Sequence, residues 1–255
     1  MFGKRILILI PHPDDEVVAC AAAIARARAQ GARVFGVNLS HGCLAKNTMW
    51  WWERGNYESD VERRIAESVR VAEFLGIKMV SGNTQRAARE IWPDLQTVYG
   101  DVMQAMQQCA PDTLWVPAYE GGNPDHDGIN ALASTIKNIP VYEMAEYNFI
   151  HGIPHSNAFL GVKGNEIVLT LSTDEQKMKR AALQLYESEQ KNLGDIDVRY
   201  ERFRPIAEYD YTRRPHEGKL WYERFQWVPF RHPRVDFTRG ETVSKAIMEF
   251  LGKRG

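Results

Sequence analysis

Residues 6–16 read ILILIPHPDDE. The aliphatic run Ile6–Ile10 has the composition of a strand covered on both faces, as in a parallel sheet. It stops at a proline, and His12, Asp14, Asp15 and Glu16 follow at once. Neighbouring carboxylates repel, and each raises the pKa of the next. Either the cluster is an ordinary helix start, whose acids favour the macrodipole, or a positive partner compensates it.

The flanking sequence decides between these. DEVVACAAAIARARAQG (15–31) is alanine-rich, with acids in its first turn and a glycine past its end, so a helix is expected. ARVFGVNLS is a second strand. YESDVERRIAESVRVAEFLG is a second helix, again closed by a glycine, Gly76. IKMVSG is a third strand, and a third helix is expected over 95–109. PDTLWVPA is a fourth strand, DGINALASTIKN a fourth helix and PVYEMAEYN a fifth strand. EIVLTL then precedes a helix from about Asp174, with Ser172 or Thr173 as its N-cap. Residues 195–245, rich in Arg, Trp, Tyr and Pro, read as a loop-dominated cap, and 241–252 as a short closing helix.

Strands alternating with helices imply βαβ units. The expected fold is α/β: a Rossmann-like, doubly wound, mostly parallel sheet in the order 3-2-1-4-5, with helices on both faces. One domain spans 1–255, with an α/β core at 1–194 and a C-terminal cap at 195–255. In that order strands 1 and 4 adjoin at the switch point, where such folds bind their ligands. A chemical partner for the opening cluster should therefore follow strand 4. The chain there reads WVPAYEGGNPDHDG (115–128), which supplies His126 between Asp125 and Asp127, behind a glycine pair. The positive partner is thus expected to be a metal cation.

The chain has 255 residues, 44% hydrophobic, and a net charge of −1. This excludes a generic nucleic-acid binder. Ten Lys/Arg against six Asp/Glu between Arg199 and Arg239 make one locally basic stretch. Three cysteines without CxxC spacing imply neither a disulfide framework nor a thiolate zinc site, and point to a cytoplasmic protein. The N-terminal apolar run is too short for a signal peptide, and no stretch reaches the length of a transmembrane segment.

Imidazole and carboxylate donors suit zinc, with ferrous iron as the alternative. His12, Asp15 and His126 form a His2Asp set with Asp14 beside it, the pattern of metal-assisted hydrolysis of an amide by a metal-activated water. A nucleotide-binding Rossmann protein is disfavoured, because no glycine-rich phosphate loop follows strand 1.

PHPDDE at 11–16 and NPDHD at 123–127 resemble the motifs of the PIG-L/LmbE family of zinc-dependent N-deacetylases. RIAESVRVAEFLG (64–76) and KRAALQLYESEQ (179–190) are similar to two of that family's helices. The resemblance implies His12, Asp15 and His126 as metal ligands and Asp14 as general base. It also implies Arg64 near the substrate, and removal of an N-acetyl group from an N-acetylglucosamine-type amino sugar or sugar conjugate. One departure stands out. The family usually writes His-Pro-Asp-His, and here the first histidine is Asn123. An amide can donate a hydrogen bond to an oxyanion but cannot deliver a proton at neutral pH. Asp14 is then expected to serve as both base and acid, with Asp125 orienting a ligand histidine. His41 and His216 are the alternative proton donors.

For the substrate, NTMWWWERGN (47–56) places Trp51 at the expected crevice mouth, where an indole can stack on a sugar; a lid or homo-oligomer contact is the alternative. Arg213 or Arg214 would meet an anionic group. An amidohydrolase on a non-sugar N-acyl substrate stays open, as does a metal-binding protein whose catalysis is reduced by Asn123.

Overall fold

In the computed structural model, all residues except 53, 162, 163, 195, 226–236 and 255 are described. In chain order the elements are β1 (Arg5–Ile10), α1 (Asp15–Ala29), β2 (Arg33–Asn38), α2 (Tyr57–Leu75), β3 (Lys78–Met79), α3 (Leu95–Cys109), β4 (Thr113–Pro117) and α4 (Pro124–Ala133). There follow β5 (Val141–Met144), β6 (Tyr147–Asn148), β7 (His155–Ser156), β8 (Ile167–Thr170), α5 (Thr173–Gln184), α6 (Gln190–Leu193), β9 (Tyr200–Pro205) and α7 (Gly240–Gly252).

Seven strands form one sheet in the order β3-β2-β1-β4-β5-β9-β8, and β6 and β7 make a separate two-stranded ribbon. Strands β1 to β5 pair in parallel; β9 runs antiparallel to both β5 and β8. β1 is central, and its alternating side chains split between two cores. Ile6, Ile8 and Ile10 pack with α1 and α5 residues on one face, and Leu7 and Leu9 pack with α3, α4 and α7 residues on the other. This is why the opening run is apolar throughout rather than alternating.

The expected order 3-2-1-4-5 is present, with a third strand of two residues and the expected fifth strand divided into β5 and β6, and two further differences bear on the site. Tyr200–Pro205, at the start of the expected cap, is an interior strand of the sheet. Its reading as loop followed from its charges, yet Glu201 and Arg204 are buried and paired with Lys179 and Glu143. α4 begins at Pro124 instead of about 127, because Asn123 caps it by accepting from the Asp125 N–H at 2.9 Å and Pro124 occupies its first turn. Ser172 caps α5 in a capping box with Glu175. Residues 226–236 of the expected cap lie outside the described residues. Among the described residues, no helix is long and apolar enough to cross a membrane.

Candidate metal centre

His12, Asp15 and His126 follow the carboxyl ends of two strands. After β1 the chain turns through Pro11–Asp14 into α1, and Asp14 adopts φ 129°, a conformation rare outside glycine. Strain of this kind costs about 1–3 kcal/mol and persists where surrounding contacts over-determine it. Here the Asp14 N–H donates to Glu16 Oε2 at 3.1 Å, and Asp15 folds back to accept from the His12 N–H at 2.8 Å. After β4, Gly121 takes φ +70°, and a Cβ on Gly122 would lie 2.1 Å from the Tyr147 carbonyl. The glycine pair is what lets the chain turn under the β6 ribbon and deliver His126 to the crevice.

The two clusters meet. His12 Nδ1 and His126 Nε2 lie 3.4 and 3.2 Å from Asp15 Oδ2, and 3.3 Å from each other. All three residues are buried. A tetrahedral zinc with ligands near 2.0–2.1 Å spaces its donor atoms about 3.3–3.4 Å apart, so the triangle fits such an ion. Burial alone would lower the His12 pKa, but hydrogen bonds and charge from Asp125 and Asp15 push it up to about 10. Asp15 is fully buried, yet the two imidazoles hold its carboxyl well below the usual range.

Each histidine of the triangle has a carboxylate behind it. His12 Nε2 lies 2.9 Å from Asp125 Oδ2, leaving Nδ1 for the cluster. Asp125 is wholly buried and accepts from the N–H groups of Arg89, Ile91 and Trp92 at 2.6, 3.2 and 3.1 Å. His126 Nδ1 faces Glu146 at 3.4 Å. Glu146, just past β5, is buried with no hydrogen-bond partner for either oxygen. Burial and the nearby acids, Asp15 first, raise its pKa well above the ordinary value. Sequence reasoning missed Glu146. Its only signal is an acid directly beyond a buried strand that adjoins the switch point.

Asp14 sits beside the triangle. Burial pushes its pKa up to about 8, against the opposing pull of the Arg64 guanidinium. Arg64 Nη2 donates to Asp14 Oδ2 at 2.8 Å, and its Nη1 reaches Glu189 at 2.7 Å and Ser188 Oγ at 3.1 Å. Ser188 in turn donates to Glu67 at 2.5 Å, and the Tyr186 hydroxyl donates to Glu16 at 2.5 Å. The two helix motifs thus converge on Asp14. Arg64 is 3% exposed; these partners take its Nη1 and Nη2, while its buried Nε has no hydrogen-bond partner.

The remaining residues are placed differently. Asn123 caps α4 through Oδ1. His41 lies in the loop packed on Pro13 and Arg64 through Gly42. Its Nδ1 accepts from the Cys43 N–H at 3.1 Å and its Nε2 faces the Tyr57 hydroxyl at 3.2 Å, so both nitrogens are engaged. Trp51 is 74% exposed beside the stacked pair Trp50 and Trp52. Arg213 and His216 line a separate cavity of about 700 Å³ against Glu241, Ser244 and Lys245 of α7, and no residue of the triangle borders it. His216 sits beside Gly121 of the crevice loop.

Fold and site together define an α/β protein with a His–Asp–His metal-type centre at the switch point of its sheet. A family model described as PIG-L, GlcNAc-PI de-N-acetylase, matches residues 7–137, and the chain belongs to this family. A diacetylchitobiose deacetylase from Thermococcus kodakarensis is 28% identical over 199 residues, 73% of this chain and 70% of that protein. A deacetylase of teicoplanin biosynthesis shares the fold with a TM-score of 0.62 at 18% identity, covering 81% of this chain and 99% of the other. The zinc-inhibited form of a teicoplanin deacetylase superposes with a TM-score of 0.58 at 17% identity, over 81% and 99%.

Proposed function

We propose that this chain is a metal-dependent hydrolase that removes the N-acetyl group from an N-acetylglucosamine-type amino sugar or sugar conjugate. The observation that carries the reading is the 3.2–3.4 Å triangle of His12, Asp15 and His126 with the Asp14 carboxylate beside it. Family membership and the deacetylase relatives support it. Zinc is the proposed ion, with ferrous iron the alternative, held by His12 Nδ1, Asp15 Oδ2 and His126 Nε2. When bound, the ion supplies Lewis acidity, which brings the pKa of water toward neutrality and polarises a carbonyl.

The chain's own groups do the rest. Asp14 accepts a proton from the attacking water as its oxygen adds to the acetyl carbon. It returns that proton to the amide nitrogen as the C–N bond breaks, giving acetate and the free amine. Arg64 holds Asp14 in reach through the 2.8 Å contact. Asn123, with Oδ1 committed to the helix cap, has its amide N–H groups to offer the oxyanion. Trp51 is a proposed contact to the aglycone, and the free cysteines Cys20, Cys43 and Cys109 support cytoplasmic residence.

The test combines metal analysis with an amine-release assay on N-acetylglucosamine and its conjugates. Near one metal per chain and metal-dependent release are expected, and Asp14→Asn should cost about 10²–10⁴-fold with metal content unchanged. Metal without turnover on any sugar would favour the non-sugar amidohydrolase or the non-catalytic reading, to which Asn123 lends weight. Turnover of Asp14→Asn within a few fold of the parent would refute the role of Asp14.

A further inference from the structure

Helix α1, which carries Asp15 in its first turn, is broken. At Cys20 φ is −148° and ψ 20°, outside the helical region. In a continuous helix the Ala22 N–H would donate to the Val18 carbonyl. Instead Val18 O accepts from Lys179 Nζ at 2.8 Å, and the N–H groups of Ala22 and Ala23 donate to the two carboxylate oxygens of Glu201 at 2.9 and 2.8 Å. Lys179 and Glu201 meet each other at 2.9 Å, and both side chains are 0% exposed. An ion pair brought in from α5 and β9 therefore replaces backbone hydrogen bonds inside the helix. Its signs suit the two halves: the ammonium lies on the carboxyl end of the first, the carboxylate on the amino end of the second.

Nothing local asks for this break. Residues 17–24 read VVACAAAI, and the alanines are the strongest helix formers. A buried ion pair is also poor value for stability, since apolar residues of similar volume often serve as well or better. What the break does is free the direction of residues 15–19. That short segment holds Asp15 in the triangle and Glu16 against Tyr186.

We infer that Lys179 and Glu201 are positioning residues of the metal centre: they hold α1 open at Cys20 so that its first turn can aim Asp15 at His12 and His126. This rests on the metal-centre reading above. It also gives Lys179, the first residue of the KRAALQLYESEQ motif, a task that the reaction itself does not assign.

The test replaces both members, Lys179→Met with Glu201→Leu. The double variant is expected to melt at or above the parent's Tm, to show Cys20 in helical φ/ψ in its crystal structure, and to bind zinc about 10–100-fold more weakly by chelator competition. Each single replacement leaves one buried charge alone and should lower Tm by roughly 10 °C. A purely structural role would lower Tm in the double variant too and leave zinc affinity unchanged. The inference is overturned if the double variant fails to fold, keeps α1 broken, or binds zinc as tightly as the parent. Should the parent itself bind no zinc, the metal-centre reading fails, while the conformation of Cys20 in the double variant still decides whether the ion pair imposes the break.

Discussion

Arg64→Met removes the cation that faces Asp14. Arg64 Nη2 lies 2.8 Å from Asp14 Oδ2, and both side chains are largely buried, at 3% and 13% exposure. Burial already drives the Asp14 pKa up to about 8, with Arg64 as the main opposing influence. An arginine beside an aspartate lowers its pKa by about 1–3 units, so the variant should raise it by that amount. As the proposed general base, Asp14 works ionised. With its pKa raised, the ionised fraction at a fixed pH below that pKa falls about tenfold per unit. The acid limb of kcat/KM should therefore move up by about 1–3 pH units, with a loss that is largest below the parent's pKa and shrinks as pH rises. Arg64→Lys keeps the charge but lacks the fork that spans Asp14 and Glu189, and should fall between the two. The assay is a pH profile of metal-loaded parent and variants from pH 5 to 10. A loss of the same size at every pH, or a profile that overlays the parent's, would refute the argument and leave Arg64 as a substrate contact or a packing residue.

Two further predictions follow from the same residues. Glu146→Gln, which leaves an amide in place of the carboxylate behind His126 Nδ1, should weaken zinc binding about 10–100-fold while Tm of the metal-free protein stays level or rises; unchanged affinity would remove Glu146 from the site. In the metal-free protein Asp14 and Glu120 are pushed up to about 8 and Glu16 and Asp127 to about 7, chiefly by burial, so the folded state binds more protons than the unfolded one between about pH 4 and 8. Raising pH through that window should lower Tm, and His12, raised to about 10, acts in the same sense as pH climbs above its unfolded value. Zinc should reverse the trend at pH 7–8. A metal-free Tm that rises steadily from pH 5 to 8 would contradict these burials.

Much of this was legible because periodicity and strand-end placement are local properties. The double-faced apolar run at 6–10 declares a central parallel strand. A central strand fixes a switch point, and HPDDE with NPDHD, each following a strand, had to meet there. The meeting of His12, Asp15 and His126 was therefore legible in the sequence, as was an aspartate, Asp125, set behind one of the two histidines.

The rest depends on partners distant in the chain. Glu146 is one acid among many until the fold sets it 3.4 Å from His126. Resemblance puts Arg64 near the substrate, but only the packing of α2 against residues 186–189 buries it and turns it onto Asp14. β9 hid because Glu201 and Arg204 look like loop residues, and their charges are tolerated in the sheet only because Lys179 and Glu143 neutralise them. The break in α1 is the sharpest case. Its local sequence specifies an unbroken helix, and a carboxylate and an ammonium from other elements, buried where water cannot compete for the backbone, override that preference.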